Sequence, residues 1–181
     1  YPLYPMLIRA LARITMGDMT SIVICGIVVS NVCHLIAYIA MYELSRILLL
    51  DTQKARLSAL LFLLQPAAIH MTTCFSEATF AALALGGLLA YHLHRQTLAA
   101  CLFGLSSMTR SNGALFAGLY VYQVLVTRRV TVRAVADSLV ACSGGLWHLL
   151  TAYVRLCRMA SEPAEFCHRI VPNVYPYVQQ R

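Results

Sequence analysis

Two oppositely charged residues, Glu77 and Arg110, stand in otherwise apolar surroundings. Glu77 precedes the charge-free run 78–94, and Arg110 separates the charge-free runs 96–109 and 111–127. A charge near the centre of a lipid bilayer costs at least about 2.5–3.5 kcal/mol, so such residues are usually paired or functional. A guanidinium also matches the geometry of a phosphate group. Glu77 and Arg110 are therefore predicted either to form a structural ion pair or to bind a charged substrate.

Polar residues flank both charges. Ser76 precedes Glu77, and Ser111, Asn112 and Gly113 follow Arg110. Asn and Ser side chains can hydrogen-bond hydroxyl-rich ligands, but Asn-Gly is also a strong turn signal. Ser76 and Asn112 are thus candidate substrate-binding residues, with an ordinary capped turn as the alternative.

The sequence indicates no metal or cofactor site. His92 and His94 are two residues apart, so on a helix they point in different directions. The seven cysteines include no Cys-x-x-Cys pair. Cys157 and Cys167 lie in a polar tail, where they either pair, if the tail faces an oxidising compartment, or remain free thiols.

Composition favours a membrane protein. The chain of 181 residues is 60% hydrophobic and 12% charged, whereas soluble domains carry about 25% charged residues. The net charge of +7 does not indicate nucleic-acid binding, because the cations cluster in short segments between apolar runs. That distribution is typical of loops that flank membrane-spanning helices and contact lipid headgroups.

The charge-free runs predict an all-α fold, a polytopic transmembrane helix bundle with three parts. Residues 1–19 form a lumenal or interfacial segment, residues 20–154 a bundle of about six helices, and residues 155–181 a truncated lumenal tail. The predicted helices are 20–42, 57–71 with Pro66 inside it, 78–92, 98–108, 114–126 and 135–154.

The order of the helices predicts which loops share a side. If 98–126 is a hairpin, the basic loops 46–56, 94–96 and 127–133 lie on one face. The bends 72–77 and 110–113 and the tail then lie on the other. The tighter Lys/Arg clusters favour a cytosolic side for the three loops. If 98–126 is one broken span, everything after it changes sides.

Five segments, in chain order, resemble motifs of the PIG-V family, the GPI mannosyltransferase 2 enzymes. YPLYP at 1–5, followed by Arg9, resembles that family's FPLFP…R stretch, and QPAAI at 65–69 resembles NPASIF. FSEATFA at 75–81 resembles YSESLFA, and FGLSSMTRSNG at 103–113 is similar to FGLSSATRSNG. The residues Phe166-Cys167 and PNVYPYVQ at 172–179 resemble WC…P.IYSYIQ.

This resemblance implies a multi-pass enzyme of the endoplasmic reticulum membrane with a GT-C type fold. It implies transfer of the second mannose, in α-1,6 linkage, from dolichyl-phosphate mannose to the GPI glycolipid precursor, with a possible accessory membrane subunit. The family's essential Asp lies in a Trp-Asp motif upstream of the FPLFP stretch. The only Trp here is Trp147, so the chain is predicted to be a fragment that lacks its general base and is inactive alone.

Two non-enzymatic alternatives fit the same residues. A membrane transporter would also place charges on one side of a helix bundle and would break helices at Pro66 and at 110–113, although no internal repeat is visible. A membrane scaffold would need no ordered polar motifs at the bends. A Trp-Asp motif upstream of Tyr1 would favour the transferase over both.

Overall fold

The computed structural model describes residues 2–14, 18–159 and 167, and within these ranges the chain forms helices and turns without strands. The all-α class is therefore confirmed for this part of the chain. The α-helices are α1 (Leu3–Ala12), α2 (Met19–Leu49), α3 (Thr52–Leu64), α4 (Ala68–Thr72), α5 (Glu77–His92), α6 (Gln96–Ser107), α7 (Ala117–Thr127) and α8 (Val132–Tyr153). A 3₁₀ turn (Ser111–Phe116) precedes α7, and a π turn (Val154–Arg158) follows α8.

Local sequence explains where α3 begins and ends. The Asp51 side chain caps the start, because its Oδ1 accepts hydrogen bonds from the backbone N–H groups of Gln53 at 2.8 Å and Lys54 at 3.3 Å. At the other end Gln65 adopts an extended conformation with φ −59° and ψ 144°, because a residue before proline is displaced from the helical region. Pro66 thus divides the predicted helix 57–71 into α3 and the short α4.

The segment 98–126 is a hairpin rather than one broken span. The Tyr120 hydroxyl of α7 donates a hydrogen bond to the Gln96 carbonyl at the start of α6, at 2.9 Å. The Tyr120 ring also packs edge-on against Phe103, with centroids 6.5 Å apart. Since Tyr120 lies beyond the turn that follows α6, these contacts require the chain to reverse there, as the first of the two sequence alternatives expected.

The reversals give the bundle two ends. One end, called here the bend end, contains residues 72–77 and 108–113, and the Leu3 N–H of α1 bonds to the Met108 carbonyl there at 3.4 Å. The other end, called the loop end, contains the connections 50–51, 93–95 and 128–131. At the loop end Arg133 donates to Thr97 Oγ1 at 3.2 Å. Glu77 and Arg110 both belong to the bend end.

The interior is built from small residues and the exterior from large aliphatic ones. Fourteen of the twenty buried apolar residues identified in the described ranges are alanines. Long aliphatic side chains instead point outward, as on α2, where Leu35 is 60% and Ile39 52% exposed. Small interfacial residues let helix backbones approach closely, which is the usual way helices associate in lipid.

Within the described ranges, one helix, Met19–Leu49, is both long and apolar enough to cross a bilayer. Helix α5, with 16 residues, and α3, with 13, are shorter than the roughly 20 residues that a span needs. The multi-span topology inferred from the charge-free runs therefore remains a prediction.

Candidate substrate site at the bend end

The Glu77–Arg110 ion pair is the centre of the candidate site. Arg110 Nη1 donates to Glu77 Oε1 at 2.9 Å. Glu77 is the first residue of α5, and Arg110 follows the end of α6 in an extended conformation with φ −153° and ψ 147°. The two side chains are 29% and 43% exposed, respectively, so the pair is partly shielded and still open on one side.

Both partners of the pair retain hydrogen-bonding capacity. A guanidinium carries several N–H donors, and among the described residues the Arg110 guanidinium uses only Nη1 in a hydrogen bond, to Glu77. Glu77 Oε2 is buried and has no hydrogen-bond partner in the described part of the chain. A buried carboxylate oxygen without a donor is uncommon in folded proteins. The arrangement can therefore hold an anion on the guanidinium while the carboxylate fixes the guanidinium in place.

Arg110 packs against the first of a column of aromatic rings, Phe80, Phe116 and Phe103. Its guanidinium carbon lies 6.0 Å from the centroid of the Phe80 ring, within range of a cation–π interaction. Phe80 in turn contacts Phe116 at 6.5 Å, and Phe116 stacks on the fully buried Phe103 with centroids 4.7 Å apart. Arg110 thus rests on rings that belong to the core of the bundle.

Most residues of the segment 103–113 serve packing rather than recognition. Ser106, Ser107 and Thr109 are buried, and each hydroxyl donates to the backbone carbonyl three residues earlier, at 2.6–2.8 Å. Gly113 packs so closely on the same turn that a Cβ there would overlap the backbone of Ser106 and Ser107. The tight turn directs Arg110 outward.

A second polar cluster fixes α1 against the bend end. The Tyr4 hydroxyl shares a hydrogen bond with Ser30 Oγ at 2.8 Å and lies 3.2 Å from the Gly26 carbonyl of α2. Ser30 Oγ also lies 3.2 Å from the Phe75 carbonyl, to which it can donate. Burial raises the pKa of Tyr4 to about 12, so the phenol stays protonated and remains a donor.

Sequence reasoning missed this second cluster. Its signal was the presence of Ser30 and Asn31 in the middle of the longest apolar run. Asn31 donates to the Thr72 carbonyl at 3.0 Å, and Ser30 contacts the Phe75 carbonyl, so both residues face the bend 72–77. A Cβ at Gly26 would overlap Cys74 Sγ, which explains why the helix has a glycine at this crossing.

Comparison with known proteins now identifies the family. The sequence model of the mannosyltransferase family PIG-V matches residues 2–181. The chain belongs to the PIG-V mannosyltransferase family. The resemblance inferred from the five sequence motifs is thereby confirmed.

Curated members of the PIG-V family give the same result. The chain is 29% identical to GPI mannosyltransferase 2 of Yarrowia lipolytica, over 91% of the chain and 47% of that relative. The same enzyme of Chaetomium globosum is 27% identical, over 86% of the chain and 42% of the relative. The chain thus spans less than half the length of these relatives. No solved structure matches the chain.

The structure of this PIG-V family member brings together two of the four predicted site residues. Glu77 and Arg110 form the ion pair that the sequence allowed. Ser76 is half-buried before α5, and its side chain makes no capping hydrogen bond. Asn112 is exposed in the 3₁₀ turn after Arg110. A role for Ser76 and Asn112 in binding substrate stays a prediction.

The structure decides between the two alternatives for Cys157 and Cys167, and it also bears on metal binding. Cys157 and Cys167 form a disulfide, with Cα atoms 5.6 Å apart. No group of three or more His, Cys, Asp or Glu residues that could hold a metal ion occurs in the described ranges. The tail motif at 172–179 and most of the predicted tail 155–181 lie outside the described residues.

Proposed function

We propose that this chain is part of a multi-pass mannosyltransferase of the endoplasmic reticulum membrane. It transfers the second mannose, in α-1,6 linkage, from dolichyl-phosphate mannose to the GPI glycolipid precursor on the lumenal side. Membership of the PIG-V family and the name of its relatives support this reaction. The observation that carries the proposal is the partly open Arg110 guanidinium, held by Glu77 at the bend end.

The ion pair suits a lipid-phosphate donor. When mannose leaves dolichyl phosphate, negative charge develops on the phosphate, and pre-positioned N–H donors stabilise such charge strongly. The remaining N–H groups of Arg110 supply these donors, while Glu77 and Phe80 hold the guanidinium in position. Ser76 and Asn112 hydrogen-bond sugar hydroxyls. We expect the carboxylate that activates the attacking hydroxyl to be the Asp of the family's Trp-Asp motif, which is not among residues 1–181.

The packing supports the membrane placement. An alanine-rich interior with exposed aliphatic side chains is suited to lipid, because a large apolar exterior in water is unfavourable. The bend end lies in the lumen. The disulfide Cys157–Cys167 follows α8, whose second half shares a groove with Ser111 of that end, and disulfides persist in oxidising compartments. A GT-C type fold and an accessory membrane subunit complete the proposal.

An experiment with charge-reversed variants distinguishes a substrate-binding role of Arg110 from a purely structural role of the ion pair. The full-length protein is expressed in cells that lack this mannosyltransferase, and GPI-anchored proteins at the cell surface are measured by flow cytometry. Arg110→Ala is expected to abolish rescue at normal protein abundance, because the phosphate loses its donors. The double variant Glu77→Arg/Arg110→Glu rebuilds the ion pair with reversed polarity and is expected to remain inactive.

Two controls make the outcome decisive. Arg46→Ala removes a cation of the loop end that pairs with Glu43 at 2.6 Å, and it is expected to rescue fully. Protein abundance and membrane extraction, measured for every variant, show whether a variant is inserted. Normal rescue by Arg110→Ala, or recovery of activity by the reversed pair, would show that Arg110 has a structural role only.

A further inference from the structure

An apolar groove of about 240 Å³ lies between α7 and α8 at the loop end, opposite the candidate substrate site. Its walls are mainly branched aliphatic side chains of both helices and of the connection between them. The aliphatic lining includes Val121, Val124, Leu125, Val130, Val135 and Leu139. Leu125, Val130 and Leu139 are 70%, 77% and 62% exposed. The groove is therefore accessible from outside, and its apolar lining suits an acyl chain.

Basic residues lie next to one end of this groove. Arg128 and Arg129 form the connection between α7 and α8, directly before the groove residue Val130, and both are exposed. Arg128 has a left-handed backbone with φ 51°, so the chain turns sharply at this point. Arg133 follows in the first turn of α8, where it bonds to Thr97. Basic side chains thus border the groove on the side of the membrane interface.

The charged residues at the α7–α8 connection are paired differently from those at the α2–α3 connection. At the connection 50–51, Lys54 lies 3.5 Å from Asp51, and Arg46 nearby lies 2.6 Å from Glu43. In the described part of the chain no acidic residue pairs with Arg128 or Arg129. The α7–α8 connection therefore carries positive charge without an acidic partner among the described residues, next to an apolar groove. This combination complements an anionic headgroup joined to an acyl chain.

We propose that this groove binds one anionic phospholipid of the leaflet at the loop end. One acyl chain lies between α7 and α8, and the phosphate and headgroup contact Arg128 and Arg129. Basic pockets between membrane helices recognise anionic headgroups in this way. The inference rests on the proposed membrane placement of the bundle and not on the transfer reaction, since the groove and Arg110 lie at opposite ends.

Native mass spectrometry of the whole protein in mild detergent tests the headgroup. Phosphatidylserine and phosphatidylcholine with identical acyl chains are titrated, and the affinity of the first bound lipid is measured. Phosphatidylserine is expected to bind more tightly, and Arg128→Gln/Arg129→Gln is expected to weaken it by about tenfold, because each arginine near the surface attracts anionic lipid. Arg46→Gln/Lys54→Gln removes the same number of cations at the same end and is expected to leave the affinity unchanged.

A photo-crosslinker tests the groove itself. Benzoylphenylalanine is introduced at Leu139 in the groove and, as a control, at Leu35 on the outer face of α2, and the mass of the crosslinked product is measured. A phosphatidylserine adduct at Leu139 that the arginine variant reduces, with no such reduction at Leu35, supports the proposal. Equal affinity for both lipids, equal loss in both charge variants, or a peptide adduct at Leu139 would overturn it. Lipid binding is measured without a transfer assay, so its failure is separate from failure of the proposed function.

Discussion

The two ends of the bundle hold their charges in different ways. The loop end uses ion pairs between residues three or four apart on one stretch of chain: Arg46–Glu43, Lys54–Asp51 and Arg133–Asp137. The bend end uses Arg110–Glu77, whose partners are 33 residues apart, Glu77 at the start of α5 and Arg110 in the turn after α6. Local helical geometry alone brings the first three pairs together, whereas the fourth exists only because α5 and α6 pack side by side.

The local ion pairs and the long-range pair differ in what they are expected to contribute to stability and activity. The Arg46–Glu43 and Lys54–Asp51 pairs are solvent-accessible, and accessible pairs between near neighbours contribute only about 0.2–1 kcal/mol to stability. The long-range pair is supported by Phe80 and by a turn of buried hydroxyls. Among the described residues, donors of Arg110 and one oxygen of Glu77 still have no partner. The bend end is therefore expected to be more sensitive to substitution, both in stability and in activity.

The largest expected effect on stability comes from a methyl group at the tight crossing of α6 and α8. A Cβ at Gly144 would overlap Gly104 O and Ser107 Oγ, whereas a Cβ at Gly145 would meet Ala114 Cβ at 3.7 Å, an ordinary contact. Gly144→Ala should cost about 1–3 kcal/mol through overpacking. Gly145→Ala should be neutral or stabilising, because alanine favours a helix. Thermal unfolding in detergent compares them, and equal effects would show that the crossing is not tight.

The second largest effect concerns the Tyr4 cluster. Tyr4→Phe keeps the ring and removes the hydroxyl that contacts Ser30 and Gly26, so it should destabilise the protein by about 0.5–1.5 kcal/mol. Tyr122 is 65% exposed, and Tyr122→Phe is the matched control, expected to have no measurable effect. Denaturant unfolding in detergent gives both values. If the two variants are equally stable, the cluster does not hold α1 to the bundle.

A smaller effect is expected for the two ion pairs, whose coupling energies double-mutant cycles compare directly. Alanine variants of Glu77 and Arg110 should show a coupling energy of about 1 kcal/mol, because the pair is partly shielded from water. The same cycle for Glu43 and Arg46 should give about 0.3–0.5 kcal/mol, as for other local helical pairs. Both values come from unfolding of the single and double variants. Equal coupling energies would remove the energetic distinction between the two ends.

The smallest effect is a pH dependence at the loop end. Hydrogen bonds from the backbone N–H groups of Lys54 and Gln53 lower the pKa of Asp51 below its ordinary value of 3.8. The stabilising contribution of Asp51 is therefore complete above that pH and is lost as the pH falls through the lower folded pKa. Wild type should be more stable than Asp51→Ala at neutral pH, and the difference should shrink on acidification below pH 3.8.

Asp18 provides the control for this measurement. It precedes α2 as Asp51 precedes α3, but its side chain makes no capping hydrogen bond. Asp18→Ala is therefore expected to leave the stability at neutral pH nearly unchanged. A difference for Asp51→Ala that does not change with pH would exclude the charged cap as its cause.

The sequence by itself determined the helical class, the position of most turns and the family. Pro66 stops α3 through a steric effect on its own neighbour, and Asp51 caps α3 through atoms two and three residues away. The five motifs in chain order indicated the family, because residue order can be read whatever the fold. These features depend on local covalent geometry or on residue order, so they can be read without a tertiary fold.

Only the tertiary structure decided which residues meet. The choice between a hairpin and one broken span depends on the contact of Tyr120 with Gln96, and periodicity does not encode it. The Tyr4–Ser30 contact and the column of rings beneath Arg110 likewise join distant segments. An alanine-rich interface presents no large side chains whose spacing would reveal the partner helix, so the partners became known only when the helices were packed.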